Sequence, residues 1–196
     1  MKKLLVTGFD PFGGESVNPA REAVLRLPDA LGGYEITKLE IPTVFGLAAE
    51  TVLRAAEELR PHAILCVGQA GGRSAITPEV VAINLREASI PDNGGNRPVN
   101  QPVVPGGPAA YFSTLPVRDM VAAIKEAGIP AQLSYSAGAF VCNDLLYTLL
   151  HRYADTPVLV GFIHVPYLPY QAKEGVPSMA LEEIVAGLTR AVLALP

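Results

Sequence analysis

The chain has 196 residues, 49% of them hydrophobic and 17% charged, so it can bury the core of one domain spanning residues 1–196. Its net charge of −4 and the lack of a Lys/Arg cluster exclude the basic face of a nucleic-acid-binding protein, and no apolar run is long enough to cross a bilayer. The short apolar run 4–6 predicts no signal peptide. Two distant cysteines and no metal-ligand cluster predict a cytoplasmic protein without disulfides, metal or cofactor.

The first half of the chain alternates between predicted strands and helices. Strands are predicted at 4–6, 34–41 and 63–67, and helices at 19–27 and 44–60. The first helix begins with Asn18 as its cap and Pro19 at its first position. Glycine-rich loops at 8–14 and 68–73 follow two of the strands, and their flexible backbone permits the close approach of a ligand.

The second half alternates in the same way around a long irregular segment. Strands are predicted at 80–85, 131–134 and 158–164, and helices at 116–127, 142–150 and 178–195. Segment 89–108 is crowded with Pro, Gly, Asn and Asp, so we expect a loop that covers a site or a neighbouring subunit. The alternation predicts a single-domain α/β fold, a three-layer α/β/α sandwich with a mostly parallel twisted sheet.

The functional candidates follow the carboxyl ends of predicted strands, where ligands bind in such sheets. Loops 8–14 and 68–72 follow strands, His164 ends one, and Cys142 opens the helix after the predicted strand 131–134. The free amides and the positive dipole at a helix start favour a thiolate and can hold an oxyanion. We therefore interpret Cys142 as an activated nucleophile, with packing as the alternative.

A thiol nucleophile needs a base. His62 in a solvated turn and His151 near a helix C-terminus have structural interpretations, so His164 is the candidate base. Cys66 lies within an apolar strand, where cysteine packs as a small hydrophobic residue.

Glu79 and Asp144 are the candidate acids that would orient the base. Asp144 can simply favour the helix N-terminus, whereas Glu79 precedes an apolar run, where an unpaired carboxylate is costly. We therefore choose Glu79, with a structural salt bridge as the alternative. Segment 68–72 also resembles a phosphate cradle, but no Lys-Ser/Thr follows it, so the nucleotide-binding signal is weak.

Four segments of the chain resemble the pyroglutamyl peptidase I family of cysteine peptidases, in the family's order: 7–14, 68–73, 136–143 and 161–166. The resemblance implies removal of an N-terminal pyroglutamyl residue from peptides through a thioester at Cys142. In that reaction His164 protonates the departing amine, and Glu79 fixes the tautomer of the His164 imidazole. The resemblance also implies a homotetramer.

The pyroglutamyl lactam is small, flat and uncharged, whereas an ordinary amino terminus carries a charge. An apolar slot would therefore admit the lactam and penalise the charged terminus. We expect four residues to form its walls and Gln69 to pair with the lactam edge. The wall residues are Phe9, Phe12, Phe140 and Val141. Ordinary core packing is the alternative for each phenylalanine.

Two positions depart from the family, because Val80 and Ser89 stand where it usually has arginine. We expect these departures to bear on catalytic efficiency and leaving-group preference. Two other functions remain open. One is a different thiol amidase on the same scaffold. The other is a non-catalytic phosphate or nucleoside-binding module using 68–72, since the fold layout also resembles nucleoside phosphorylases.

Overall fold

Eight strands and five helices alternate along residues 1–196, all of which the computed structural model describes. The strands are β1 (Lys2–Phe9), β2 (Ala30–Leu31), β3 (Tyr34–Ile41), β4 (Ala63–Gln69), β5 (Thr77–Pro78), β6 (Val81–Ile83), β7 (Ala110–Phe112) and β8 (Leu159–Val165). The helices are α1 (Pro19–Leu25), α2 (Leu47–Leu59), α3 (Val117–Glu126), α4 (Val141–Arg152) and α5 (Leu181–Leu193). No helix is both long and apolar enough to cross a membrane.

A six-stranded sheet in the order β2-β3-β1-β4-β8-β5 forms the centre of the molecule. The four inner strands β3, β1, β4 and β8 are parallel, and the two-residue edge strands β2 and β5 are antiparallel to their neighbours. β6 and β7 form a separate antiparallel ribbon. The predicted mostly parallel sheet is confirmed.

Alternation along β1 divides the core between the two faces of the sheet. Leu4 and Val6 belong to a cluster of 26 buried residues with the apolar faces of α1, α3 and α5. Leu5 belongs to a second cluster of 19 with α2 and α4. Because successive strand side chains point to opposite faces, these two clusters define the three predicted α/β/α layers.

The predicted helix boundaries agree with the observed caps. Asn18 caps α1, its side chain accepting a hydrogen bond from the Ala20 amide, and Pro19 is the first helical residue. At the end of α2, Arg60 adopts a left-handed conformation with φ of 52°. Its amide donates to the Ala56 carbonyl, which closes the last turn before Pro61.

The predicted strand 131–134 is wrong, because this segment makes only two isolated bridges, from Ile76 to Ala131 and from Glu79 to Ser134. Three backbone hydrogen bonds connect it with residues 76–80 in a parallel register. The position between the bridges is Pro78, which has no N–H to donate, so the ladder is interrupted there. Cys142 therefore follows an extended edge segment rather than a central strand.

Segment 89–108 has no helix or strand, as predicted, but Asp92 fastens it firmly. The buried Asp92 carboxylate accepts hydrogen bonds from the amides of Gly94, Asn96 and Phe45 at 2.8 to 2.9 Å. Because Phe45 precedes Gly46, the N-cap of α2, these bonds connect the loop with the start of that helix.

Only the three residues of β6 form a strand within the predicted strand 80–85, and β7 was not predicted.

Candidate active site

Cys142 is the second residue of α4, after the cap Phe140 and Val141. The first amide bonded within the helix is that of Asp144, which donates to the Phe140 carbonyl at 3.1 Å. The amides of residues 141–143 therefore have no acceptor inside the helix. They place free backbone donors in the same helical turn as the Cys142 thiol, at the positive end of the helix dipole.

The Cys142 sulfur lies directly over the backbone of β4. A Cβ placed on Gly68 would be 3.2 Å from the Cys142 Sγ and 2.7 Å from the Phe162 ring. Gly68 is the cross-strand partner of His164, so their side-chain directions share one face of the sheet. Because paired strands are about 4.8 Å apart, the absence of a side chain at Gly68 leaves the thiol room beside the imidazole.

His164 is hydrogen-bonded to Glu79 at 2.7 Å between Nδ1 and Oε1. Both side chains are buried, with 4% of His164 and none of Glu79 exposed. An ionised carboxylate can only accept, so the proton of this bond belongs to Nδ1. The other ring nitrogen, Nε2, is then free to accept a proton from a neighbouring donor.

The Glu79–His164 pair favours an ionised acid and a neutral base. Burial acts to raise the pKa of Glu79, but the hydrogen bond and charge of His164 and the hydrogen bond from Arg73 act against it, and the pKa lies below its usual range. Burial lowers the pKa of His164 although the Glu79 charge opposes this shift. Neutral imidazole beside a carboxylate is the form that a general base requires.

Two opposing effects act on the thiol of Cys142, which is partly buried. Burial, the charge of Glu79 and the neighbouring Cys66 raise the pKa of Cys142 to about 12, against the lowering effects of Arg73 and the Cys142 amide. The effect of burial on the pKa of Cys142 thus outweighs the effect of the helix N-terminus. Attack by this sulfur then requires a base to take its proton.

Arg73, which the sequence offered only as the end of the 68–73 loop, is the third member of the Glu79 network. Its Nη1 donates to Glu79 Oε1 at 2.8 Å and its Nη2 donates to the Ser136 carbonyl at 3.0 Å. A signal for this contact was present, because an arginine six residues before a buried acid is a natural partner for it.

Three half-buried phenylalanines cluster at the start of α4. The Phe12 and Phe140 ring centroids are 6.2 Å apart, and Phe45 meets Phe140 edge to face at 5.2 Å. Phe12 and Phe140 were predicted from the sequence, whereas Phe45 was missed. No local pattern distinguishes Phe45, since the 89–98 loop that fastens its amide is distant in the chain.

The other predicted slot residues lie deeper. Phe9 is 2% exposed and packs 6.2 Å from the Phe162 ring, and Val141 is fully buried in the same cluster. Gln69 ends β4, and its Oε1 accepts a hydrogen bond from Gln171 Nε2 at 3.3 Å. No local pattern predicts the Gln171 contact, because the two residues are far apart in the chain.

The remaining candidates have structural contacts. His62 Nδ1 accepts from the Lys3 amide, and His151 lies in the last turn of α4 against the Tyr111 hydroxyl. Cys66 is fully buried among apolar residues. The Asp144 carboxylate accepts hydrogen bonds from Arg86 Nε at 2.6 Å and from the Gly46 amide at 2.8 Å, so it does not orient His164.

The two positions that depart from the family are placed differently. The Val80 amide donates to the Ser134 carbonyl at 2.7 Å, and Ser89 is exposed. No group of three or more His, Cys, Asp or Glu side chains is arranged to hold a metal ion.

Comparison with known proteins identifies similar sequences along the whole chain. The family model described as pyroglutamyl peptidase matches residues 2–195. The pyrrolidone-carboxylate peptidase of Levilactobacillus brevis is 55% identical over 98% of this chain and 97% of its own length. That of Escherichia fergusonii is 52% identical over 98% of this chain and 92% of its own.

Solved structures agree with this relationship. The crystal structure of Bacillus amyloliquefaciens pyroglutamyl peptidase I matches with a TM-score of 0.96 and 49% identity, over 100% of this chain and 97% of that one. A mutant pyrrolidone carboxyl peptidase from Pyrococcus furiosus matches with a TM-score of 0.93 and 42% identity, over 98% and 97% of the two chains.

Proposed function

The chain belongs to the pyroglutamyl peptidase family and is a cysteine peptidase that removes N-terminal pyroglutamate, and we propose that Cys142, His164 and Glu79 are its catalytic residues. The observation that carries this proposal is the buried 2.7 Å bond between Glu79 and His164 beside the Cys142 sulfur. The three groups have the order of nucleophile, base and orienting acid that acyl transfer requires.

In the first step His164 Nε2 takes the thiol proton while Cys142 Sγ attacks the carbonyl carbon of the pyroglutamyl residue. The carbonyl oxygen becomes an oxyanion, which the unbonded amides at the start of α4 stabilise. Glu79 holds the imidazole by Nδ1 and stabilises the imidazolium that forms. Because the resting thiol is protonated, this transfer to His164 is part of the attack.

In the second step the tetrahedral intermediate collapses. The C–N bond breaks, His164 gives its proton to the departing amine, and the acyl group remains on Cys142 as a thioester. His164 then takes a proton from a water molecule that attacks the thioester. Collapse of this second intermediate returns the proton to the sulfur and releases pyroglutamate.

Specificity for the lactam arises from the aromatic cluster of Phe12, Phe45 and Phe140. These rings pack together at the N-terminus of α4, two residues from Cys142 in the case of Phe140. A ring-shaped, uncharged acyl group fits among aromatic side chains, whereas a protonated amine would lose its hydration there. Gln69, at the end of β4, can donate to the lactam carbonyl through its amide nitrogen.

We expect the chain to release a fluorophore from a pyroglutamyl amide with a kcat/KM roughly a hundredfold or more above that for the matched prolyl amide. The two substrates share a five-membered ring but differ in charge at the ring nitrogen. Comparable rates on both would indicate a less selective thiol amidase. No turnover of either by folded protein, with thermal stabilisation by phosphate or nucleosides, would indicate a binding module and contradict the proposal.

We further propose that the chain assembles into a homotetramer. The β6–β7 ribbon and the 89–108 loop expose large apolar side chains, with Ile83 38%, Val99 63% and Phe112 72% exposed. Large apolar side chains exposed to this extent favour burial against another protein surface. Light scattering should give a mass near four times the 20.7 kDa of one chain. A mass of one chain at micromolar concentration would contradict the assembly.

We also propose a cytoplasmic location, since the mechanism requires a reduced sulfur. Both cysteines of the chain are free thiols, and the cytosol keeps thiols reduced. Fractionation of cells that express the chain should recover the pyroglutamyl amidase activity with cytosolic markers. Recovery with secreted proteins would contradict this location.

A further inference from the structure

Arg73 joins three parts of the structure that surround the proposed catalytic residues. Its Nη1 donates to Glu79 Oε1 at 2.8 Å and to Thr77 Oγ1 at 2.5 Å, and its Nη2 donates to the Ser136 carbonyl at 3.0 Å. The Glu79 carboxylate at this contact is fully buried, while 27% of the Arg73 side chain is exposed. The guanidinium therefore reaches from the surface to the acid.

The 70–73 turn holds Arg73 in place. The Ala70 amide donates to the Val165 carbonyl at 2.9 Å, which fastens the start of the turn to the end of β8. A Cβ at Gly71 would lie 2.2 Å from the Tyr167 ring, so the backbone packs directly against that ring. The turn thus has little freedom to move the arginine away from Glu79.

Arg73 supplies the permanent positive charge of the site. Glu79 Oε1 accepts hydrogen bonds from both His164 Nδ1 and Arg73 Nη1, whereas Oε2 has no hydrogen-bond partner. When His164 is neutral, Arg73 is the only cation paired with this carboxylate. A buried carboxylate without a charged partner is costly, so Arg73 keeps Glu79 ionised before the reaction begins.

The second guanidinium nitrogen extends the connection to the nucleophile. Ser136 begins the turn that leads to α4, and its hydroxyl accepts the Gly138 amide at 3.2 Å. Cys142 lies on α4 four residues after Gly138. One side chain thereby connects the acid with the segment that leads to the thiol.

We propose that Arg73 is a positioning residue that aligns Glu79 with His164 and holds the 136–138 turn in the geometry that presents Cys142. This inference rests on the proposed function, since it assigns Arg73 a role in the same reaction. It requires that loss of Arg73 impair the chemical steps more than the binding of substrate. It also requires that the charge of Arg73 act on the catalytic proton transfer.

The test compares Arg73→Gln and Arg73→Lys with Arg54→Gln, whose arginine forms an exposed pair with Glu50 on α2. We expect Arg73→Gln to lower kcat on the pyroglutamyl amide roughly 10- to 100-fold, the effect of losing one charge-assisted hydrogen bond, with KM changed less than about twofold. Arg73→Lys keeps the charge but not the forked geometry, so an intermediate loss is expected. Arg54→Gln should be unaffected.

The pH profile of kcat/KM separates positioning from a purely structural effect. The charged and titratable groups acting on the proton transfer are Glu79, His164, Cys142, Cys66 and Arg73. Arg73 lowers the pKa of His164, so its removal should move the acid limb of the profile to higher pH. The profile of Arg73→Lys should fall at the same pH as that of the wild type, because lysine keeps the positive charge.

A kcat of Arg73→Gln within twofold of the wild type, or an unshifted profile in the folded variant, would overturn the inference. If circular dichroism shows that Arg73→Gln is unfolded, Arg73→Lys decides, because unchanged kcat there would also overturn it. If folded wild-type protein does not hydrolyse the pyroglutamyl amide, the proposed function itself is contradicted. The two failures are therefore distinguishable.

Discussion

Replacing Cys142 with serine should lower kcat/KM for a pyroglutamyl amide roughly 10³-fold or more, the loss expected when a catalytic nucleophile is removed. Serine keeps the side-chain shape over Gly68 but offers a hydroxyl, a much weaker nucleophile than a thiol under the same base. The amides of α4 and the aromatic cluster are untouched. Binding of the substrate should therefore persist while its cleavage is lost, which single-turnover fluorescence can measure.

Cys66→Ser is the matched control, because it makes the same substitution at the other free cysteine. Cys66 is fully buried in β4, where the new hydroxyl would face Thr7 on the neighbouring strand. We expect a stability loss of about 1–2 kcal/mol in urea denaturation and activity within threefold of wild type. Activity retained by Cys142→Ser, or lost only in folded Cys66→Ser, would contradict the assignment of the nucleophile.

Replacing Glu79 with glutamine should lower kcat/KM roughly 10³-fold while the fold is kept. The amide oxygen can still accept the His164 Nδ1–H, but it carries no charge to stabilise the imidazolium. If the amide presents its nitrogen instead, the imidazole is driven to the wrong tautomer. The buried end of Arg73 also loses its carboxylate, so we expect about 1–3 kcal/mol less stability.

Glu50→Gln provides the comparison for Glu79→Gln, since the Glu50 carboxylate forms an exposed pair with Arg54 on α2. Its stability and activity should stay close to those of the wild type, because exposed ion pairs contribute little. Both variants would be measured by initial rates and by urea denaturation under one set of conditions. Full activity in Glu79→Gln would show that His164 needs no orienting carboxylate and would contradict the proposed triad.

Local patterns in the sequence were sufficient for most of the fold. The caps at Asn18 and Pro19 and the apolar runs of β4 and β8 depend on neighbouring residues alone, and the structure confirms them. The motifs around Cys142 and His164, which resemble the family, are also local. Each consists of neighbouring residues in a fixed order, so one sequence is enough to recognise it.

Features that depend on distant contacts were missed. The strand predicted at 131–134 failed because its partner position across the chain is Pro78, which cannot donate a ladder hydrogen bond. The raised pKa of Cys142 follows from burial and from the charge of Glu79 in the folded chain, which no spacing reveals. Phe45 is fastened beside the site by a contact with Asp92 that only the folded chain creates.

The glycine beneath the thiol has an evolutionary consequence. Every other amino acid at position 68 would place a carbon 2.7 Å from the Phe162 ring and 3.2 Å from the Cys142 sulfur. A larger residue at position 68 therefore requires the Phe162 ring or the Cys142 side chain to move. We expect a tolerated change at position 68 to come with a second substitution at position 162, so the two positions should vary as a pair.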